Sequence, residues 1–146
     1  MGKVRILVVD DDQTIRATFR AWLMEEGYEV DVAATGKEAI DKSQSEVYNL
    51  ALIDIRLPDM EGTRLLKELK ETTPRMRKLI VTGYPDLQNA VASVRSHADY
   101  YFIKPVSLAE VAKVVKEQLR EQETEREHGQ TKVAEFVESR LRESPD

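Results

Sequence analysis

The chain predicts an open, doubly wound α/β fold: a parallel five-stranded sheet with helices on both faces, followed by a C-terminal helical extension. Three observations predict it. Short apolar runs alternate five times with stretches whose apolar residues recur at helical spacing. The connections between them are short, which implies parallel strands with right-handed crossovers. Carboxylates, a threonine and a lysine stand at the ends of the apolar runs, where an open α/β sheet keeps its functional crevice.

Each element has its own signal. "VRILVV" (4–9) is the first strand, and Ile15, Phe19, Trp22 and Leu23 then mark one face of a helix ending near Gly27. "YEVDVA" (28–33) alternates as a strand, and a weaker helix follows over residues 35–43. The third strand, residues 48–53, is apolar without alternation, as expected of a strand covered on both faces. A helix over 63–71 buries Leu65, Leu66 and Leu69, and Pro74 closes it. "KLIVT" (78–82) is the fourth strand. Leu87, Ala90, Val91 and Val94 give a fourth helix, and "YYFI" (100–103) a fifth strand. Leu108, Val111, Ala112, Val115 and Leu119 form the last clear amphipathic helix.

After Leu119 the composition shifts. Residues 120–132 carry no large apolar side chain and are expected to stay out of the core, whereas Val133, Phe136, Val137 and Leu141 return to helical spacing. The expected division is therefore a globular domain over 1–122, then a charged linker and short amphipathic helical tail over 123–146. Residues 120–146 hold eight acidic and five basic side chains, so they are no basic arm for nucleic acid. A solvated tail and a helix that packs on a partner or on its own copy both fit. The interrupted apolar pattern argues against one unbroken coiled coil, which needs sustained heptads.

Composition narrows the function classes. The 146 residues are 41% hydrophobic and 34% charged, enough for one core under a well-solvated surface. A net charge of −5 disfavours direct binding to nucleic acid or anionic lipid. There is no cysteine, hence no disulfide or thiolate metal site, and with His only at 97 and 128 a zinc site is disfavoured. No signal peptide or membrane span is readable, so the expected location is the cytoplasm. No Gly-rich phosphate loop follows the first strand, which weighs against flavin or dinucleotide binding.

The chemistry lies at the strand ends. Asp10, Asp11 and Asp12 follow the first strand, Asp54 ends the third, Thr82 the fourth and Lys104-Pro105 the fifth. With the first strand expected at the centre and the third and fourth beside it, these residues share one crevice. Clustered carboxylates repel one another unless a cation neutralises them, and Mg²⁺ suits an all-oxygen donor set. With Lys104 and the Thr82 hydroxyl, such an ion could stabilise a phosphoryl group in transfer, Asp54 being the nucleophile. Simpler roles stay open. The three Asp could cap the following helix, with Asp12 or Gln13 at the cap in either case. Thr82 could be strand filler and Lys104 a solvated strand end, although Lys before Pro is open to a cis bond that aims the side chain. His97 is expected in a loop, and Asp59 and Glu61 at a turn and a helix start.

Taken in order, "ILVVDDD", "LALIDIRLPDMEG", "LIVTGY" and "DYYFIKP" resemble the receiver domain of bacterial two-component response regulators over roughly residues 3–122. The resemblance implies a flavodoxin-like (βα)₅ fold with Asp54 as phosphoacceptor. It implies Asp11, Asp54 and the backbone carbonyl of Arg56 as Mg²⁺ ligands (Mn²⁺ being an alternative), with Asp10 acting through water. It implies Lys104 on a phosphoryl oxygen, Thr82 swinging toward the phosphoryl group, and Tyr101 following it inward as an aromatic switch. The implied donor is a histidine kinase or phosphotransfer protein. Dimerisation through the fourth helix, fifth strand and fifth helix is a further implication. Receivers usually carry Gly-Ala before the fifth strand, where this chain has His97-Ala98. Arg56 and Tyr84 occupy two positions that vary among receivers and tune phosphoryl lifetime; here they are expected to screen the acyl phosphate from water.

The expected function is a phosphoacceptor signalling switch that catalyses only its own phosphorylation and dephosphorylation, not a conventional enzyme. The alternative is a receiver-like interaction module that works without phosphorylation. A small-molecule aspartyl-phosphate hydrolase ranks lower, since such enzymes need an acid two residues after the nucleophile, where this chain has Arg56.

Overall fold

A computed structural model describes residues 3–83, 91–92 and 98–143. Its elements are β1 (Arg5–Val9), α1 (Gln13–Glu25), β2 (Glu29–Ala33), α2 (Gly36–Ser45), β3 (Leu50–Asp54), α3 (Gly62–Glu68), β4 (Arg77–Thr82), β5 (Tyr100–Ile103) and α4 (Leu108–Glu143). Of the helix expected around Leu87, Ala90, Val91 and Val94, only Val91 lies among the described residues, and it is helical together with Ala92.

The strands form one parallel sheet in the order β2-β1-β3-β4-β5. The middle strand is thus β3, with β1 on one side and β4 on the other, rather than β1 as the sequence suggested. That explains the unbroken apolar run of β3, whose five residues are all buried. Successive strand residues point to opposite faces, and two cores result. On one face Ile6, Val8, Leu52 and Val81 pack with Phe19 and Leu23 of α1 and Val111 and Val115 of α4. On the other, Leu7, Val9, Ile53 and Ile80 pack with Ala39 of α2 and Leu65 and Leu66 of α3. Each such aliphatic side chain contributes about 1.5–3 kcal/mol of burial, so the sheet is a stiff platform for what its ends carry.

Three boundaries differ from expectation. β3 begins at Leu50 rather than 48, while Asp54 ends it as expected, its main chain pairing in register with Val81. The third helix stops at Glu68 instead of residue 71, and Leu69 is buried as the residue just beyond it. The largest difference is α4, which runs unbroken across the expected boundary at 122. Residues 120–132 do reach the core after all, through polar groups. Gln122 is buried; its amide donates to the carbonyls of Asn49 at 2.8 Å and Arg75 at 2.9 Å and accepts from Asn49 Nδ2 at 3.2 Å. Glu125 pairs with Arg77 one turn on. Beyond that point α4 projects with Val133, Phe136, Val137 and Leu141 exposed. Among the described residues no helix is long and apolar enough to cross a membrane.

Candidate functional site

The site is made where four neighbouring strands, β1, β3, β4 and β5, end. β1 hands the chain to Asp10, whose N–H donates to the Ala33 carbonyl of β2 at 3.1 Å, keeping the residue in line with the sheet. Asp10 is buried; its Oδ1 accepts from the Asp12 N–H at 2.9 Å and its carbonyl from Arg16 Nη1 at 2.8 Å. Asp12 turns outward and caps α1, accepting from the N–H groups of Thr14 and Ile15 at 2.8 and 3.2 Å. One acid of the three thus takes the cap, which leaves Asp10 and Asp11 for other work. Asp54 is buried at the tip of β3, its Oδ1 accepting from the Arg56 N–H at 3.0 Å. Thr82 is fully buried at the tip of β4, and its carbonyl accepts from the Lys104 N–H at 2.7 Å as the chain leaves β5. The Lys104–Pro105 bond that follows is cis.

From there the Lys104 side chain reaches back over the sheet. Its Nζ lies 3.1 Å from Asp10 Oδ2 and 3.3 Å from Asp54 Oδ2. Burial works against this ammonium, but the charges of Asp10 and Asp54 outweigh it and raise the Lys104 pKa. Burial pushes the Asp10 carboxyl up, and the nearby charge of Asp54 adds to that, against the hydrogen bond from Asp12 and the charge of Lys104. Asp10, Asp11 and Asp54 each offer a carboxylate oxygen within 4.8 Å of the others. Two are buried and Asp11 is exposed, so the cluster opens to solvent on one side. Three acids against one lysine leave the cluster short of positive charge. An all-oxygen set of this kind fits a hard divalent cation and not a soft one.

The remaining predicted residues are less central. The Arg56 side chain is exposed, and the Arg56 N–H donates to Asp54 Oδ1. Tyr101 is half-buried on β5, packed against the core cluster under α2 and α3, while its neighbours Tyr100 and Ile103 are exposed. Tyr84 and His97 lie outside the described residues. Glu61 does precede α3, but without a capping hydrogen bond from its side chain. Asp59 does more than make a turn. Its carboxylate accepts from the N–H groups of Gly36 at 2.8 Å and Lys37 at 2.9 Å, capping α2 from a loop more than twenty residues away. Those bonds hold its pKa below the ordinary carboxylate value. No local pattern announces this role. A groove of about 880 Å³ lies at the opposite end of the sheet, between residues 72–75 and the 125–134 stretch of α4, away from the acidic cluster.

Residues 6–116 match the family described as response regulator receiver domain. The chain belongs to this family. It is a receiver domain of the two-component response regulators, a class of phosphoacceptor switches. Among its relatives, the transcriptional regulatory protein ZraR of Klebsiella oxytoca is 38% identical over 117 residues, 80% of this chain and 26% of that protein. The receiver thus spans about a quarter of the length of the ZraR relatives it matches. A receiver domain protein (CheY-like) from Methanospirillum hungatei JF-1 shares the fold with a TM-score of 0.82 and 48% identity, over 85% of this chain and 99% of that one. The response regulator TrrA from Thermotoga maritima, solved in complex with Mg²⁺-BeF, aligns with a TM-score of 0.70 and 34% identity, over 79% and 98% of the two chains.

Proposed function

We propose that this receiver accepts a phosphoryl group on Asp54 from the phosphohistidine of a histidine kinase or phosphotransfer protein. One Asp54 carboxylate oxygen attacks phosphorus in line with the P–N bond. The new P–O bond forms as P–N breaks, and the imidazole leaves with the electron pair and takes up a proton. Lys104 follows the charge: its ammonium, already held between two carboxylates, turns to the phosphoryl oxygens once Asp54 is phosphorylated. The Asp10, Asp11 and Asp54 carboxylates and the Arg56 carbonyl are the groups that would hold a divalent cation, Mg²⁺ or Mn²⁺. Such an ion would supply positive charge to the transferring oxygens and relieve the repulsion among the acids.

The output follows from the next two strands. The Thr82 hydroxyl turns to the phosphoryl group, and Tyr101 moves from its half-buried position into the space vacated, changing the surface of β5. Hydrolysis returns the switch to rest, and Arg56 and Tyr84 slow it by screening the acyl phosphate from water. The chain's own chemistry is confined to its phosphorylation and dephosphorylation. The β5 edge is apolar and open at Tyr100 and Ile103, and Val91 and Leu108 are exposed as well. It suits a homodimer through this edge, which sedimentation with and without an acyl-phosphate mimic checks.

One observation carries the reading: the Lys104 ammonium lies 3.1 and 3.3 Å from the buried carboxylates of Asp10 and Asp54. The test is incubation with acetyl phosphate and Mg²⁺, followed by mass spectrometry. The expected result is one phosphate on Asp54, lost in Asp54→Ala and slowed about 100-fold in Lys104→Ala, the scale on which a charge-stabilising donor acts. No incorporation, or incorporation elsewhere, would favour an interaction module that works without phosphorylation.

A further inference from the structure

We propose that residues 55–61, between β3 and α3, form a clamped loop, in which Gly36, Asp59 and Gly62 are positioning residues for metal binding at Asp54 and Arg56. The proposal rests on the reading of Asp54 given above. The clamp has an anchor at each end. At the far end, a Cβ on Gly62 would stand 2.5 Å from the Asp54 carbonyl oxygen and 2.8 Å from Ile55 Cα. The Gly62 N–H also donates to the Ile55 carbonyl at 2.6 Å. The first residue of α3 therefore lies flat on the peptide of the acceptor aspartate, and any side chain there must displace backbone.

The other anchor reaches α2. Asp59 caps that helix at Gly36 and Lys37, and the Met60 thioether fills the space a Cβ on Gly36 would need, with Sδ 2.4 Å and Cγ 2.5 Å from that position. Within the loop, Leu57 N–H donates to the Met60 carbonyl at 3.2 Å, and Arg56 bridges to Glu61. Arg56 thus sits between the two anchors, with its N–H on Asp54 Oδ1 at 3.0 Å. An exposed loop with neither anchor would have to be ordered when the metal binds, at the expense of affinity. Here that ordering is complete on folding. The Asp59 cap is the informative part, because it touches no group of the acidic cluster and yet fixes the carbonyl-bearing segment.

The test is Mg²⁺ titration of the unphosphorylated chain by calorimetry, with acetyl phosphate labelling as a second readout. Asp59→Ala is expected to weaken Mg²⁺ binding roughly tenfold, the low end of the effect of losing a group that supports a ligand. Asp59→Asn keeps one of the two accepting oxygens and is expected to fall between wild type and Asp59→Ala. Gly36→Ala is expected to weaken binding and Gly36→Ala/Met60→Ala to restore it, because the second change empties the contested space. Labelling by Asp59→Ala should need more Mg²⁺ for its half-maximal rate while keeping its rate at saturating Mg²⁺. Wild-type affinity in Asp59→Ala, or no rescue by Met60→Ala, overturns the clamp. If the wild type binds Mg²⁺ but Asp54 takes no phosphate, the reading of Asp54 fails instead, and the calorimetric series still decides on the clamp.

Discussion

At the scale of single residues, the structure holds charge in two different ways. Asp10 is buried beside Asp54, with one ammonium between them. Taking a carboxylate out of water is costly, and a like charge nearby adds to the cost. Asp10→Asn is therefore expected to melt about 4 °C higher than the wild type in metal-free buffer, a shift typical of about 1 kcal/mol at this size. Added Mg²⁺ should narrow the gap, because binding stabilises only the chain that holds the ion well. Calorimetric melts with and without Mg²⁺ check both parts. Asp99 is the opposite case. Burial alone would raise its pKa, but the paired hydrogen bonds from Arg75 at 2.6 and 2.9 Å and the Lys78 N–H at 2.8 Å lower it. A carboxyl whose pKa is lower folded than unfolded stabilises above its unfolded value, near 4, and loses that stabilisation as pH falls through the folded value. Urea titrations of wild type and Asp99→Asn should thus differ most near neutral pH and converge as pH falls through the lowered folded value. A constant difference across that range would mean the pair acts by shape rather than charge.

At the scale of elements, strand identity and the site's main residues were readable because both follow from local contrast. Asp54, Thr82 and Lys104 stand out as polar groups ending apolar runs, and Asp12 as the cap before a helical stripe. What was not readable depends on partners far along the chain. The Asp59 cap needs α2, the Gly62 notch needs the back of β3, and the central place of β3 is set by pairing rather than by hydrophobicity alone. Gln122 is the clearest instance. In sequence it belongs to a polar stretch with no reason to be buried; in the fold it satisfies carbonyls of Asn49 and Arg75 that precede β3 and β4. Removing it takes the Gln122 donor from the part-buried Arg75 carbonyl, while the Asn49 carbonyl keeps the Arg77 N–H at 3.0 Å; the loss costs about 1–3 kcal/mol. Gln122→Ala is expected to lose that amount in urea unfolding. It should also lose helical circular dichroism before global unfolding, as the part of α4 beyond it frays. A wild-type curve would mean that the apolar contacts of Val111 and Val115 hold α4 unaided.

At the scale of the whole molecule, the question is how an event at the sheet's tip reaches a surface. Asp54, Thr82 and Tyr101 sit on three adjacent strands, β3, β4 and β5, with Thr82 paired to Ile103 and Ile80 to Tyr101. A phosphoryl group on Asp54 is one strand away from Thr82, and Thr82 one strand away from the aromatic side chain. Coupling along this row requires that the modified site bind one arrangement of Thr82 better than the other; without such a difference no population shifts. On the proposed reading the hydroxyl is the group that would make the difference, because only a hydrogen-bond donor gains by turning to phosphoryl oxygens. Thr82→Ala is therefore expected to take up phosphate at Asp54 within about threefold of the wild-type rate, since transfer itself depends chiefly on the charges around Asp54. It should nevertheless leave the Tyr101 ring resonances where they stand in the unphosphorylated chain. Thr82→Ser keeps the hydroxyl and should restore their displacement. Ring resonances that move in phosphorylated Thr82→Ala as they do in the wild type would show that the signal crosses the sheet by another route.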